Sequence, residues 1–177
     1  PLVNAYGFGF DPDRSTPDSV LAELRNYVGW KKVSLSPAGY IKKENPNIKL
    51  DASAIAKGFG SDVVAREIRK NGINDFMVEV GGEVVCSGVN AKGKVWSIGI
   101  NKPIEDSTMQ TFEIQRRVQL DGKELATSGN YLQYYIANGE RRSHTIEPRT
   151  GYPVEHSLLS ATVSASSCLR ADALATA

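Results

Sequence analysis

The sequence is short of the residues that build the simplest functional sites. Its two cysteines, Cys86 and Cys168, lie far apart in apolar surroundings, which gives neither a metal-ligand spacing nor a disulfide framework and leaves buried free thiols as the expectation. Histidine occurs only at His144 and His156, and no Gly-x-Ser-x-Gly elbow or Ser-His-Asp ordering accompanies it, so nothing supports a serine hydrolase. An excess of either charge is missing too. The 21 Lys and Arg against 20 Asp and Glu leave a formal net charge of +1, without a basic block or acidic tail, and favour neither nucleic acid nor a membrane surface as partner. No apolar run approaches membrane-spanning length, and no signal peptide is present. The chain opens on Pro1-Leu2-Val3 without an initiator Met and stops at Ala175-Thr176-Ala177 inside a helical pattern. It therefore reads as a piece of a longer protein, a single domain over residues 1–177 truncated at both ends, with any targeting segment upstream.

What is there suffices for a real core: 177 residues, 41% hydrophobic and 23% charged. The stretch that organises the rest is Leu50-Asp51-Ala52-Ser53-Ala54-Ile55-Ala56-Lys57-Gly58. Ile48, Leu50 and Ala52 alternate as a strand does, and Ala56, Phe59, Val63, Val64 and Ile68 then recur at helical spacing up to Asn71-Gly72. Small residues at this junction would let first-turn N–H groups approach a phosphate, with Lys57 adding a point charge at the positive helix end. A tight packing joint with a solvated lysine is the other reading.

Along the chain, Thr16 and Pro17 start a helix with an apolar stripe at Val20, Leu21, Leu24, Tyr27 and Val28, and Gly29 ends it. Lys31–Leu35 and Tyr40–Lys43 read as a hairpin. Strands are predicted at 76–80, 83–87 and 95–100, then through Phe112, Ile114, Val118 and Leu120, and at 125–128. A hairpin turning at Asn138-Gly139 and a strand at 157–165 follow, and Ser166 or Ser167 caps a final helix from near Cys168. Helices flanking a large, mostly antiparallel sheet make the fold class α+β.

Few groups carry chemistry. Asp172 and Thr176, four apart on the last helix, put a carboxylate and a hydroxyl on one face, a sparse oxygen set of the kind that holds Mg²⁺ when substrate phosphates supply the rest. A polar helix patch would look the same. His144, at a strand end in Ser143-His144-Thr145-Ile146-Glu147-Pro148, is placed to take a proton near neutral pH or to serve as a structural histidine on a backbone carbonyl. Gly81-Gly82 and Ala126-Thr127-Ser128-Gly129-Asn130 read as turns when taken singly.

Taken together and in order, these blocks resemble the FAD:protein FMN transferases, the ApbE-like flavin transferases of bacteria. The matching residues are Pro1-Leu2-Val3-Asn4 with Gly7-Phe8-Gly9, Leu50-Asp51 with Ile55-Ala56-Lys57-Gly58, Val80-Gly81-Gly82, Ala126-Thr127-Ser128-Gly129, Ser143-His144 with Pro148-Arg149-Thr150-Gly151, and Ala171-Asp172-Ala173-Leu174-Ala175-Thr176. The resemblance implies the fold of that family and an enzyme that uses Mg²⁺, breaks the pyrophosphate of FAD, joins FMN through a phosphoester to a threonine of a target protein and releases AMP. It implies the Ala54 carbonyl, Asp172 and Thr176 as metal ligands, Asp51, Lys57 and Ser143 as FAD contacts, and His144 as the base. It further implies an acceptor threonine on a periplasmic or membrane-exposed electron-transfer flavoprotein, and an exported enzyme, periplasmic and lipid-anchored through an upstream segment. Ser53-Ala54 stand where the family usually has two glycines, while Glu83 and Glu147 are one methylene longer than the usual residues. An FAD pyrophosphatase and a non-catalytic flavin-binding lipoprotein are the alternatives.

Overall fold

The structure, a computed structural model, describes residues 1–10, 12–104, 113–131, 133–137, 139–155 and 157–177. Phe112 and Asn138, named above for a strand and a turn, and His156 lie outside the described residues. The chain divides into two compact units, Pro1–Leu50 with Gln133–His156, and Asp51–Leu132 with Ser157–Ala177. Among the described residues no helix is long and apolar enough to cross a membrane.

The first unit holds the short helix α1 (Leu2–Ala5), α2 (Asp18–Leu24), and two antiparallel hairpins, β1 (Val33–Leu35) with β2 (Ile41–Lys43) and β8 (Tyr134–Ala137) with β9 (Glu140–Ser143). Its core is small: Leu2, Ala5, Tyr6 and Leu21 are buried, and Phe8, Leu24, Val28 and Ile146 pack against them. The helix expected at Thr16 starts at Asp18, with Pro17 at the cap and no side-chain cap bond. Thr16 is occupied elsewhere, its hydroxyl donating to Asp13 at 3.2 Å, because Asp13 closes a local turn that also takes the Ser15 amide and hydroxyl. The strand expected at Ile48–Ala52 does not form: Ile48 is buried, Leu50 is exposed, and no partner strand pairs with them among the described residues.

The second unit is layered. A four-stranded antiparallel sheet runs in the order β10 (Ser160–Ala165), β7 (Glu124–Gly129), β4 (Glu83–Ser87), β3 (Phe76–Val80). On one face Phe76, Val78 and Val85 pack with Ala65 of α3 (Ser53–Lys70) and Cys168 of α4 (Cys168–Thr176). On the other face Val84, Cys86 and Leu125 meet Leu120, Trp96 and Ile98 from the ribbon of β5 (Trp96–Asn101) and β6 (Ile114–Leu120). The period-two alternation of β4 thus serves two apolar layers and buries both thiols. Burial pushes Cys86 up to about 11 and Cys168 up to about 12, so both stay protonated and inert at neutral pH. All paired strands among the described residues are antiparallel, and the α+β class holds. The block Ala126-Thr127-Ser128-Gly129 is not a turn but the body of β7, an interior strand of the sheet.

Helix α3 turns a different face inward from the one its large apolar residues mark. Phe59, Val63 and Val64 are exposed, while Gly58, Ser61 and Ala65 are buried. The reason is the approach of α4. A Cβ on Gly58 would lie 2.4 Å from the Cys168 carbonyl oxygen and 2.8 Å from Asp172 Cβ, so only glycine lets the helices touch there. The contact is secured by Asp62 of α3, whose carboxylate accepts the amides of Cys168 and Leu169 at 3.0 Å each, while Ser167 caps the Arg170 amide. A carboxylate and a hydroxyl thus satisfy the first turn of α4, the cap alone contributing about 1 kcal/mol.

Candidate functional site

The packing just described decides where Asp172 points. It is 2% exposed, and its Oδ2 accepts the Gly58 amide at 2.9 Å. In a regular helix that amide would serve the carbonyl of Ala54, four residues earlier. The Asp172 carboxylate is thereby tied to the first turns of α3, the stretch that also carries Ala54. One turn further along α4, the Thr176 hydroxyl lies 2.8 Å from the hydroxyl of Ser128 on β7. A hydroxyl that gives its proton to a neighbour keeps lone pairs for a cation. Together Asp172, Thr176 and the Ala54 main chain would offer one carboxylate, one hydroxyl and one carbonyl, donors that suit a hard divalent ion. Among the described residues no cluster of three or more His, Cys, Asp or Glu side chains could hold a metal. An ion here would rest on few protein ligands, as Mg²⁺ does when substrate oxygens complete its shell.

Lys57, on the first turns of α3, reaches across to the sheet. Its ammonium lies 2.9 Å from Glu83 Oε1 and 3.2 Å from the Gly81 carbonyl. Gly81 and Gly82 are the two loop residues between the paired Val80 and Glu83, with φ of 59° and 100°, the left-handed pair that a tight hairpin needs. The same turn brings the backbone to the lysine, since a Cβ on Gly81 would stand 3.1 Å from Lys57 Cδ. Glu83 is drawn inward to 1% exposure. Burial pushes its carboxyl up, Lys57 opposes that, and Asp172 adds to it, so Glu83 senses both charged groups of the site.

Asp51 closes the start of α3 on itself. Its Oδ1 takes the Ser53 amide at 2.7 Å and the Ser53 hydroxyl, and those bonds hold its carboxyl below the usual range. The amides of Ile55 and Ala56 go to the Ala52 carbonyl. The Ser53, Ile55 and Ala56 amides of the first turn, expected from the sequence to face a phosphate, thus have acceptors within the chain, and Lys57 supplies a positive charge near this helix end.

Ser143 and His144 belong to the other unit, at the end of β9. Ser143 is 4% exposed, and its hydroxyl has no hydrogen-bond partner among the described residues. His144 Nδ1 lies 3.3 Å from the Gln133 carbonyl, and the Phe8 ring stands edge-on at 6.2 Å. A carbonyl only accepts, so Nδ1 carries the proton and Nε2 the lone pair. Burial lowers the pKa of His144, partly opposed by that hydrogen bond, which keeps the ring neutral and basic at pH 7. Glu147, one methylene longer than the family's usual residue, is held by its own turn, its Oε1 taking the Arg149 amide at 3.1 Å and Nε at 3.0 Å.

The sequence reading gave no role to Asp62 or to the packing of Gly58, and named Glu83 and Ser128 within the resemblance, not as partners of Lys57 and Thr176. Glu83 leaves a trace, an acid opening a strand whose next residues are all apolar. The other three depend on partners tens of residues away, which no local pattern announces.

The comparisons with known proteins bear on the whole length. The model of the ApbE family matches residues 1–177. The FAD:protein FMN transferase of Haemophilus influenzae is 38% identical over 181 residues, covering 99% of this chain and 51% of that protein. Its counterpart in Vibrio cholerae is 39% identical, covering 99% of this chain and 52% of that one. The solved structure of the flavin transferase ApbE from Vibrio cholerae superposes with a TM-score of 0.83 at 37% identity, over 99% of this chain and 55% of that one. The chain thus spans about half the length of the curated relatives it matches. From its first residue to its last, in sequence and in fold, the chain belongs to the ApbE family.

Proposed function

We propose that the protein transfers FMN from FAD to a threonine hydroxyl of another protein, in a Mg²⁺-dependent reaction that releases AMP. The observation that supports this reading is the Asp172–Gly58 hydrogen bond, which ties a buried carboxylate of α4 to the turns of α3 that carry Ala54 and Lys57, the lysine itself held by Glu83. The names of the relatives, FAD:protein FMN transferase, supply the substrates.

In the reaction the threonine oxygen bonds to the phosphorus of the FMN half, the bond from that phosphorus to the bridging oxygen breaks, and AMP departs with the electron pair. Mg²⁺, held by Asp172, Thr176 and the Ala54 carbonyl, would neutralise charge on the phosphate oxygens. The chain's own groups do the rest. Lys57 has three N–H donors and two acceptors, Glu83 and Gly81, among the described residues, so one donor remains for a phosphate oxygen. His144 Nε2 takes the proton of the attacking hydroxyl, and the Gln133 carbonyl steadies the imidazolium that forms. The Ser143 hydroxyl, without a partner among the described residues, is in this reading one FAD contact and Asp51 another. The acceptor in this reading is a periplasmic or membrane-exposed electron-transfer flavoprotein, and the enzyme is exported and lipid-anchored alongside it.

The test mixes the protein with FAD, Mg²⁺ and threonine-bearing acceptors, weighs the acceptors by mass spectrometry and assays AMP. An acceptor that gains the mass of FMN, and fails to in Asp172→Ala, supports the transferase. AMP and free FMN beside unchanged acceptors would mean that water takes the place of threonine.

A further inference from the structure

Glu83 is the one charged group at the site whose burial the reaction as written leaves unexplained. Its side chain is 1% exposed, against 47% for Lys57. Only one of its oxygens is engaged: Oε1 accepts from Lys57, while Oε2 has no partner among the described residues. Burying a carboxylate this way is costly, and an ion pair with a half-exposed lysine offsets little of the cost. The surrounding backbone is nonetheless built to keep it there. The buried Ser61 hydroxyl lies 3.2 Å from the Glu83 carbonyl and 3.1 Å from the Lys57 carbonyl, tying the two residues' main chains together. The Gly81-Gly82 turn then brings a second acceptor to the same ammonium. Lysine is ordinarily a mobile point charge on a four-carbon stem. Here two acceptors fix it and leave one donor over.

We propose that Glu83 is a positioning residue, which through Oε1 fixes the Lys57 ammonium against the Gly81-Gly82 turn so that its remaining N–H meets a phosphate oxygen of bound FAD. This rests on the reading of Lys57 as an FAD contact. The sign of the effect makes it testable. A carboxylate near a phosphate repels it, so by charge alone removing Glu83 should tighten FAD binding. If Glu83 acts by placing Lys57, its removal weakens binding instead.

FAD affinity is measured in Mg²⁺ by flavin fluorescence for the protein and for Glu83→Gln, Glu83→Met, Lys57→Met and the double variant Glu83→Met with Lys57→Met. Circular dichroism confirms that each is folded, and Gln, nearly isosteric, guards against a failed Met variant. The expected result is binding weakened about tenfold by Glu83→Met, less by Glu83→Gln, which keeps an acceptor, and a double variant no weaker than Lys57→Met alone. The ¹H–¹⁵N signal of the Lys57 ammonium, visible when hydrogen bonds slow its exchange, is expected to disappear in Glu83→Met without FAD present. Tighter or unchanged binding in both Glu83 variants, with Lys57→Met impaired, overturns the proposal and spares the Lys57 contact. Unchanged binding in Lys57→Met removes that contact and the proposal with it.

Discussion

In the unit built on α3 and α4, three candidate side chains are held from another element: Asp172 by the Gly58 amide, Lys57 by Glu83, and Thr176 by Ser128, across 114, 26 and 48 residues of sequence, while Asp51 is held by Ser53 beside it. In the other unit His144 is held by its own hairpin, through the Gln133 carbonyl only 11 residues away, with the Phe8 ring beside it. The difference follows from what each group must do. A carboxylate or ammonium kept charged at a part-buried site needs a fixed partner of opposite sign or a backbone donor, and such partners come from wherever the fold brings them. A neutral imidazole needs only its tautomer and orientation set, which one carbonyl achieves.

The largest expected effect tests the locally held group. In the proposed reaction His144→Ala slows flavin transfer about a thousandfold, while FAD binding and thermal stability change little, because no buried charge loses its partner. The pH profile sharpens the point. Burial lowers the pKa of His144 from 6.5, so the neutral, competent ring already predominates below that pH. The wild-type rate is expected to rise with pH through a midpoint under 6.5 and to be flat at neutrality, and this acid limb should vanish in His144→Ala. A midpoint well above 6.5 would assign the limb to another group.

Next in size is a pair of glycines in one helix. Gly58→Ala places a methyl 2.4 Å from the Cys168 carbonyl oxygen, and the α3–α4 contact that aims Asp172 must open. A loss of about 3 kcal/mol in a urea melt is expected, with FAD turnover falling in parallel. At Gly60, two residues on, an added Cβ meets nothing within 4 Å, and Gly60→Ala is expected to gain about 1 kcal/mol from helix propensity. Similar outcomes at the two positions would mean that helix propensity, not the close approach of α4, governs both.

These glycines also show how far the sequence could be read. Turn chemistry and strand alternation placed β3, the Gly81-Gly82 turn and β4 residue for residue, because both signals are local. The same logic went astray on α3. Phe59, Val63 and Val64 mark an apolar stripe, yet Gly58, Ser61 and Ala65 face the core, since what α3 must admit is a helix 106 residues downstream. Asp172, Thr176 and Lys57 could be named by resemblance. That Glu83 would be buried against Lys57 could not, because it depends on a strand order that periodicity does not encode. His144 was legible as a residue, but its tautomer waited on the Gln133 carbonyl.

The smallest expected effect concerns a carboxylate in the α3–α4 unit that lacks what Asp172 and Glu83 have. Glu124 opens β7 at 9% exposure, and its Oε2 has no hydrogen-bond partner among the described residues. Burial raises its pKa, Asp62 raises it further, and Arg69 pulls the other way. That guanidinium is also drawn to the Phe76 ring, 5.2 Å from its centroid. The folded protein therefore holds the Glu124 proton to higher pH than the unfolded chain, whose reference value is 4.5. The stability linked to that proton is fully present below the unfolded pKa and is lost as pH rises through the folded one. Glu124→Gln, neutral throughout, should match wild type at pH 4 and melt about 2–4 °C higher at pH 8. A gain equal at both pH values would show that the benefit lies in packing. A loss at pH 8 would show that Arg69 partners Glu124 as effectively as Lys57 partners Glu83, and the distinction between compensated and uncompensated carboxylates in this unit would fall.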